Sequence, residues 1–382
     1  MSGALKKRCS GTMILFFATL FCFSQYKVTF VVTALPSYHN MADPVYLAGS
    51  FNNWNPHNER FRLIPNGGKY GITIELNRGM FEFKLTKGNW ETVESAESGI
   101  TTANRTVDVE KDTTINVEIK NWADHFPKTA KPSTSGRNVH ILDSSFYIPQ
   151  LNRHRRIWIY LPASYSTTYK KYPVLYMQDG QNVFDAATSY SGEWGVDETL
   201  DKLGEEYGES IVVAIDNGGD KRMNEYSPVD MPQYGKGEGD AYVDFLVQTL
   251  MPYINHHYRT KRHAKYNFIA GSSMGGLISF YAMLKYPEKF GGAGVFSPAF
   301  WIAPKIKDLT NEKAHMLKGK IYFYAGELEG ESMVPDMLAV FNKVKNNSKA
   351  VMEAVIRAEG KHNEDRWRQE FPGFYKWLMK KI

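Results

Sequence analysis

The sequence is poor in cysteine and lacks the common metal and cofactor motifs. Its two cysteines, Cys9 and Cys22, both lie near the amino end, in a segment that export would remove. The remaining chain could form no disulfide and has no thiol nucleophile. We find no zinc-type H-E-x-x-H, paired-cysteine or P-loop motif, and the loop DNGGD has too few ligands for calcium. We therefore expect no metal and no cofactor, and any catalysis needs an oxygen or nitrogen nucleophile.

Long apolar runs and strong net charge are also absent. The formal net charge is +5, so we expect no nucleic-acid partner. The apolar run over 13–23 is shorter than the ~20 residues of a membrane-spanning helix, and it follows Lys6, Lys7 and Arg8. This pattern predicts a signal peptide over residues 1–24, cleaved near Ser24, and a secreted or periplasmic bacterial protein without a transmembrane anchor. The rival interpretation is lipid attachment at Cys22, which the bulky Phe21 disfavours.

The chain is long enough for two domains, and the first is predicted to be all-β. Residues 25–123 have a hydrophobic period of two, which indicates a small immunoglobulin-like antiparallel sandwich with a hairpin loop at Asn77-Arg78-Gly79. Residues 124–137 are rich in proline and small polar residues, which predicts a linker. Apolar runs that suggest strands include Val28–Val32, Val45–Ala48, Ile72–Leu76 and Phe81–Leu85.

From residue 138 to 382 apolar strands alternate with helical stretches. This alternation predicts an α/β-hydrolase domain with a mostly parallel central sheet, whose middle strands are nearly continuous apolar runs because both faces are buried. The expected strands are Arg156–Leu161, Pro173–Met177, Ile211–Ile215, Tyr266–Ala270, Gly291–Phe296, Lys320–Ala325 and Met352–Ala358.

The sharpest motif is G-x-S-x-G at residues 271–275, between a predicted strand and a predicted helix. Such a turn strains the backbone and lifts the serine hydroxyl above the sheet, so Ser273 is the expected nucleophile. The backbone N–H of Met274, at the start of the helix, is an expected oxyanion donor.

A serine nucleophile needs a histidine base held by a carboxylate, and in this fold the chain order is serine, acid, histidine. His362 lies in a polar loop between the last strand and the terminal helix, so it is the expected base. The acid is expected in the loop after the strand KIYFYA. Glu329 is our choice there and Glu327 the second candidate.

Further site residues are predicted from loops beside these motifs. A backbone N–H of Gly180 or Gln181 is the second expected oxyanion donor, and Asp179 before them could be a turn former that hydrogen-bonds its own backbone. Expected substrate contacts come from two tryptophans, which could instead be core anchors, and from two residues after the strand Ile211–Ile215; these are Trp194, Trp301, Arg222 and Tyr226.

Together the segments DGQNVFD, GEWGVDE, GSSMGG, SPAFW and AGELEG and a late histidine resemble the esterase-D-type esterase family. That family contains feruloyl, acetyl-xylan and ferric-enterobactin esterases, and the resemblance covers about Asn138 to Ile382. It implies hydrolysis of carboxylic esters through an acyl-enzyme on Ser273. The family's acid corresponds to Glu329.

The first domain resembles the glycogen- and starch-binding carbohydrate modules. The resemblance rests on VYLAGSFNNW, on Met80–Thr86, and on Trp90 and Glu94. It implies that Trp90 stacks on a sugar, with Tyr70 as a second platform, whereas Trp54 is expected inside the sandwich. The alternative is a structural appendage that shapes or covers the active-site cleft.

Three functions are compatible with these patterns. The first is a secreted esterase that removes feruloyl or acetyl groups from xylan, with a polysaccharide or oligosaccharide ester as its partner. The second is a siderophore trilactone esterase, for which a dense cluster of basic residues near the motifs is missing. The third is a non-catalytic carbohydrate-binding protein, which the intact set of serine, glutamate and histidine disfavours.

Overall fold

The computed structural model of the chain describes residues 25–52, 54–97, 99, 102–126, 131–190, 192–231 and 234–380. The predicted signal peptide, its cleavage site and both cysteines lie outside the described residues. The chain separates into two units after residue 129. Among the described residues, none of the helices combines the length and the apolar composition that a bilayer crossing requires.

The first unit is built from two main sheets, of four and three strands. The strand order is β3-β4-β1-β8 in one and β2-β5-β7 in the other, and β6 and β9 form a small third sheet. The strands are β1 (Gln25–Ala34), β2 (Tyr46–Gly49), β3 (Ile64–Asn66), β4 (Lys69–Asn77), β5 (Gly79–Thr86), β6 (Glu94–Ser95), β7 (Arg105–Val109), β8 (Thr113–Glu118) and β9 (Asn121–Trp122).

The core of this unit lies between the two main sheets. In the middle of β1 every second residue, namely Val28, Phe30 and Val32, is buried, as a period of two requires. Phe30 meets Phe83 of β5 edge to face, with ring centroids 4.9 Å apart. The described residues of this unit therefore form a β-sandwich, as the sequence predicts.

Two details of the sandwich differ from prediction. The pairing is not wholly antiparallel, because β1 runs parallel to β8. The segment Asn77-Arg78-Gly79 is not a hairpin loop: it leads from β4 in the four-stranded sheet to β5 in the three-stranded sheet. Length and turn composition are alike for a hairpin and for a short crossing between sheets, so the sequence alone does not separate them.

The second unit contains an eight-stranded sheet of order β10-β11-β13-β12-β14-β15-β16-β17. The pairs β10–β11 and β11–β13 are antiparallel, and the other pairs are parallel. The strands are β10 (Val139–Ile148), β11 (Arg153–Tyr160), β12 (Val174–Gln178), β13 (Ile211–Ile215), β14 (Asn267–Ser272), β15 (Gly292–Phe296), β16 (Lys320–Gly326) and β17 (Val351–Arg357).

Helices cover both faces of this sheet. On β12, Val174 and Tyr176 belong to one apolar cluster, whereas Leu175 and Met177 belong to the other. The second cluster includes α1 and α8, and the first includes α3 to α7. The helices are α1 (Val196–Tyr207), α2 (Arg222–Glu225), α3 (Gly239–Phe245), α4 (Met251–His257), α5 (Met274–Lys285), α6 (Ile306–Lys313), α7 (Met333–Asn347) and α8 (Glu364–Met379).

Candidate active site

Ser273 lies in a strained turn between β14 and α5. Its φ is 57° and its ψ is −121°, a region that side-chain-bearing residues rarely occupy. The flanking glycines leave room for close packing. A Cβ on Gly271 would lie 2.8 Å from the carbonyl carbon of Gly275, and one on Gly275 would lie 3.0 Å from Cβ of Gln178. The turn is therefore pressed against the end of β12.

Met274, the next residue, is the first of α5 and is buried. An N–H in the first turn of a helix has no acceptor within the helix, and the helix dipole favours negative charge there. The N–H of Met274 therefore has the local geometry expected for an oxyanion donor.

His362 and Glu329 form a hydrogen-bonded pair. Nδ1 of His362 lies 2.8 Å from Oε2 of Glu329, whose side chain is wholly buried while that of His362 is 34% exposed. A carboxylate can only accept, so Nδ1 carries the proton and Nε2 is the basic nitrogen. The other oxygen, Oε1, accepts from the hydroxyl of Ser297 at 2.8 Å and from the N–H of Gly326 at 2.7 Å. Glu327 is exposed, so of the two candidate acids only Glu329 contacts the histidine.

Ser297, which the sequence analysis did not single out, connects this pair to the serine turn. The N–H of Ser273 donates to the carbonyl of Phe296 at 2.9 Å, and its carbonyl accepts from Ala299 at 3.1 Å. Ser297 lies between these two contacts, has a φ of 42° and accepts from the indole of Trp367 at 2.9 Å. In the sequence, Ser297 is the first residue of the segment SPAFW. That segment contributed to the family resemblance but did not suggest a role for the serine.

The topology of the sheet explains why these residues meet. Ser273, Ser297, Glu329 and His362 follow β14, β15, β16 and β17, which are adjacent and parallel. The carboxyl ends of parallel strands meet at one edge of a sheet, where ligands of open α/β sheets bind. Residues spread over a third of the second unit therefore share one edge.

Residues 179–182, which the sequence predicts to supply an oxyanion donor and which are called the oxyanion turn below, follow β12 at the same edge. Asp179 is left-handed, with a φ of 55°, and its carbonyl accepts from the N–H of Asn182 at 2.8 Å. Gly180 and Gln181 lie between the two residues that this bond joins, and their N–H groups are the predicted oxyanion donors. A Cβ on Gly180 would lie 2.8 Å from the backbone nitrogen of Asp216, so a larger residue would displace the turn.

Arg222 and Tyr226, which the sequence predicted as substrate contacts, both bind Asp179 in the structure. Arg222 Nε and Nη2 donate to the two carboxylate oxygens of Asp179 at 2.6 and 2.9 Å. Tyr226 is fully buried, and its hydroxyl accepts from the N–H of Asp179 at 3.2 Å. Burial opposes the charge of Arg222, but the nearby carboxylate of Asp179 prevails, so the pKa of the guanidinium is raised. The carboxylate of Asp179 therefore binds Arg222 and does not cap the backbone of its own turn.

The oxyanion turn also contacts the segment that carries the histidine. Asn182 Nδ2 donates to Oε1 of Glu364 at 3.1 Å, and Glu364 is the first residue of α8, two positions after His362. Burial raises the pKa of Glu364, and the charge of Asp179 adds to this effect.

The two predicted aromatic walls have different surroundings. Trp194 is 3% exposed and packs on Phe296 and Trp367, with ring centroids 4.9 and 5.8 Å away. It is a core anchor, the alternative that the sequence left open. Trp301 is 37% exposed and its ring centroid lies 6.4 Å from that of His362, so its exposed face is available to a substrate.

Among the described residues, one group of carboxylates is close enough together to hold a cation. Glu193, Asp197 and Glu198 each have an oxygen within 4.8 Å of the others. Two of them already accept hydrogen bonds, from Thr134 to Glu193 at 2.6 Å and from Gly136 to Asp197 at 2.7 Å. Burial raises the pKa of Asp197 to about 7, helped by the charge of Glu198. Acidic residues in the first turn of α1 also suit the helix dipole. The cluster by itself is therefore not evidence for a metal site.

Two tryptophans of the sandwich form a pair at its surface, whereas a third, Trp122, is fully buried. Trp90 and Trp54 are both half-buried, with ring centroids 6.2 Å apart and planes inclined by 45°. Trp54 was expected inside the sandwich, and this prediction is wrong because the side chain is only half-buried. Tyr70 was wrongly predicted as a platform: it is 2% exposed, and its hydroxyl donates to the carbonyl of Asp43 at 2.9 Å.

The sheet, the strained serine turn and the histidine–carboxylate pair at one edge define an α/β-hydrolase. Residues 148–378 match the model of the Esterase family, described as "Putative esterase". These residues are more than half of the chain, and the chain belongs to this esterase family.

Several curated proteins are similar in sequence. The uncharacterized protein YbbA of Bacillus subtilis is 25% identical over 206 residues, 52% of this chain and 79% of that protein. An endo-1,4-beta-xylanase/feruloyl esterase of Xylanibacter ruminicola is 28% identical over 157 residues, 39% of this chain and 20% of that protein. An alpha-amylase of Niallia circulans is 39% identical over 101 residues, 26% of this chain and 8% of that protein.

Solved structures show the same fold. The enterobactin esterase FES from Shigella flexneri, in the presence of enterobactin, is 17% identical with a TM-score of 0.53, covering 92% of each chain. A ferulic acid esterase is 18% identical with a TM-score of 0.50, covering 64% of this chain and all of that one.

Proposed function

We propose that the second unit is a serine carboxylic ester hydrolase with Ser273 as nucleophile, His362 as base and Glu329 as the orienting acid. The observation that carries the proposal is the bond from His362 Nδ1 to the buried Glu329 Oε2 at the sheet edge where Ser273 lies in its strained turn. That bond leaves Nε2 of the imidazole as the proton acceptor that a serine requires.

The reaction has two balanced steps. Ser273 Oγ attacks the ester carbonyl carbon while its proton passes to Nε2 of His362, and the tetrahedral intermediate carries its negative charge on the former carbonyl oxygen. The N–H groups of Met274 and of Gly180 or Gln181 stabilise that oxygen. The intermediate expels the alcohol, which takes the proton from His362. Water then attacks the acyl-enzyme with the same base, and the acid leaves as Ser273 regains its proton.

The substrate we favour is a feruloyl or acetyl ester on plant cell-wall xylan. A bifunctional xylanase/feruloyl esterase is among the relatives, and the exposed ring of Trp301 beside His362 suits an aromatic acyl group or a sugar ring. The alternative is a siderophore trilactone, favoured by the shared fold with an enterobactin esterase over 92% of both chains. An anionic siderophore would need cationic groups that are not already paired. Arg222 forms an ion pair with Asp179, which disfavours this alternative.

A second function, carbohydrate binding, is proposed for the sandwich. The half-exposed pair of Trp54 and Trp90 offers two aromatic faces to a sugar chain, and the alpha-amylase match fits such a module. We also propose that the chain is exported by a signal peptide over residues 1–24, so that both units act outside the cytoplasm on polymers.

The test is a parallel assay on methyl ferulate, acetylated xylan and a catechol trilactone. We expect the xylan-type esters to be the better substrates, and Ser273→Ala to lower turnover on them by ~10⁴-fold or more. A preference for the trilactone would replace xylan by the siderophore. Turnover of all esters by Ser273→Ala at the wild-type rate would refute the serine mechanism.

A further inference from the structure

We propose that Arg222 is a positioning residue that holds the oxyanion turn in its active shape through the carboxylate of Asp179. This inference rests on the serine mechanism proposed above. It assigns to Arg222 an effect on the chemical step, in place of a contact with substrate.

Every polar group of Asp179 has a partner in the structure. Its carboxylate accepts two bonds from Arg222, at 2.6 and 2.9 Å, and one from Asn217 Nδ2 at 2.7 Å. Its N–H donates to Tyr226 and its carbonyl accepts from Asn182. The residue is 6% exposed, so water does little of this work.

The backbone conformation of Asp179 explains why such a hold is needed. A left-handed conformation at a residue with a side chain costs about 1 kcal/mol or more, so an unrestrained Asp179 would favour other conformations. Rotation at this residue would swing the N–H groups of Gly180 and Gln181 away from their present direction. Displacement by about 1 Å in a catalytic group can cost ~10²-fold in rate.

The same carboxylate lies close to the serine turn. A Cβ on Gly275, two residues after Ser273, would be 3.1 Å from Oδ2 of Asp179. The fork of Arg222 thus fixes both oxygens of a group that touches the nucleophile turn on one side and continues into the oxyanion turn on the other. A planar guanidinium suits this task because it binds a carboxylate through two parallel bonds.

The variants that test this are Arg222→Met, Arg222→Lys and Asp179→Asn. We expect Arg222→Met to lower kcat by ~10²-fold while KM changes by less than about threefold. Arg222→Lys should recover part of the rate, because one ion pair remains but the fork does not. Asp179→Asn keeps the shape of the side chain but weakens the bonds, and it should add little to Arg222→Met because both changes break one unit.

Two ester substrates, one neutral and one with a carboxylate, separate positioning from substrate binding. A positioning residue affects kcat equally for both. A residue that binds the substrate's carboxylate would raise KM for the anionic ester alone, and that result would overturn the proposal. Equal kcat in wild type and in both Arg222 variants would also overturn it.

A matched control is Lys307→Met. It removes the 2.6 Å ion pair between Lys307 of α6 and Asp336 of α7, which is partly buried like the pair of Arg222 and Asp179. We expect it to leave kcat unchanged.

The rate at which a fluorophosphonate labels Ser273 should fall in Arg222→Met, even in preparations whose circular dichroism matches wild type. If wild type itself were not labelled at Ser273, the serine mechanism would fail; if wild type and Arg222→Met were labelled at one rate, only the positioning role would fail.

Discussion

Nδ1 of His362 and Oε2 of Glu329 lie 2.8 Å apart, although the two residues are 33 positions apart in the chain. Glu329 is held on its other side by Ser297 and Gly326, so the carboxylate has one orientation. A buried carboxylate with fixed partners sets the tautomer and the direction of the imidazole.

Glu329→Gln should lower kcat by ~10²- to 10⁴-fold with little change in folding. The amide is close in shape, but it can present its NH₂ group to His362 and so favour the wrong tautomer. Steady-state kinetics on a simple ester would measure the effect. The matched control is Glu327→Gln, two residues earlier and exposed, which should behave as wild type; equal losses in both variants would contradict the assignment of the acid.

Ser297→Ala should lower both stability and kcat. It removes the hydroxyl that donates to Glu329 and accepts from Trp367, and an unsatisfied buried indole N–H costs about 1–3 kcal/mol. We expect a lower thermal midpoint and about a tenfold lower kcat, since Glu329 keeps its bonds to Gly326 and His362. An unchanged kcat in a destabilised variant would show that Ser297 serves folding alone.

Asp197→Asn should make the stability of the second unit less sensitive to pH. Burial raises the pKa of Asp197 from 3.8 to about 7, so between these values the folded protein keeps a proton that the unfolded chain has lost. This contribution is fully present below about pH 4 and is lost as pH rises through 7, by up to ~4 kcal/mol.

Thermal unfolding at pH 5 and pH 8 would measure this. The asparagine oxygen can still accept from Gly136, so the variant should gain on wild type at pH 8 relative to pH 5. Glu205→Gln, an exposed position on the same helix, should show no such gain. A constant difference between Asp197→Asn and wild type at both pH values would contradict the prediction.

Trp54→Ala and Trp90→Ala should each weaken binding to starch or glycogen by about tenfold or more, as loss of an aromatic anchor commonly does. Affinity electrophoresis of the full chain with soluble polysaccharide would measure it. Met80→Ala, a 68% exposed apolar residue of β5, is the control and should bind as wild type. Undiminished binding in both tryptophan variants would exclude this pair, and no binding by wild type would favour a structural role for the sandwich.

The sequence predicted the second unit well because its strands are continuous apolar runs. All seven predicted strands are present within about three residues at each end, for example Pro173–Met177 against Val174–Gln178. The strand that was missed, β10, lies at the sheet edge and has an irregular mixture of exposed and partly buried residues, so no strong period marks it. In the sandwich, β7 and β8 are not among the apolar runs named from the sequence for a similar reason, since about half of their residues are exposed.

The candidate site was harder to predict wherever a role depends on which way a side chain points. The motif placed Ser273 in its turn, because backbone conformation follows from local sequence. Spacing could not decide between Glu327 and Glu329, nor reveal that Arg222 and Tyr226 turn inward to Asp179. Tyr70 and Trp54 exchanged their expected environments for the same reason: a strand or loop position does not by itself state which face is covered.

The most direct test of the account is the site of covalent labelling by a fluorophosphonate, mapped by peptide mass spectrometry alongside the loss of esterase activity. We predict one adduct, on the peptide that carries Ser273, appearing in proportion to inactivation; Ser272→Ala should label normally and Ser273→Ala should not label. Inactivation through an adduct on any other residue, or full inactivation with Ser273 unmodified, would contradict the account.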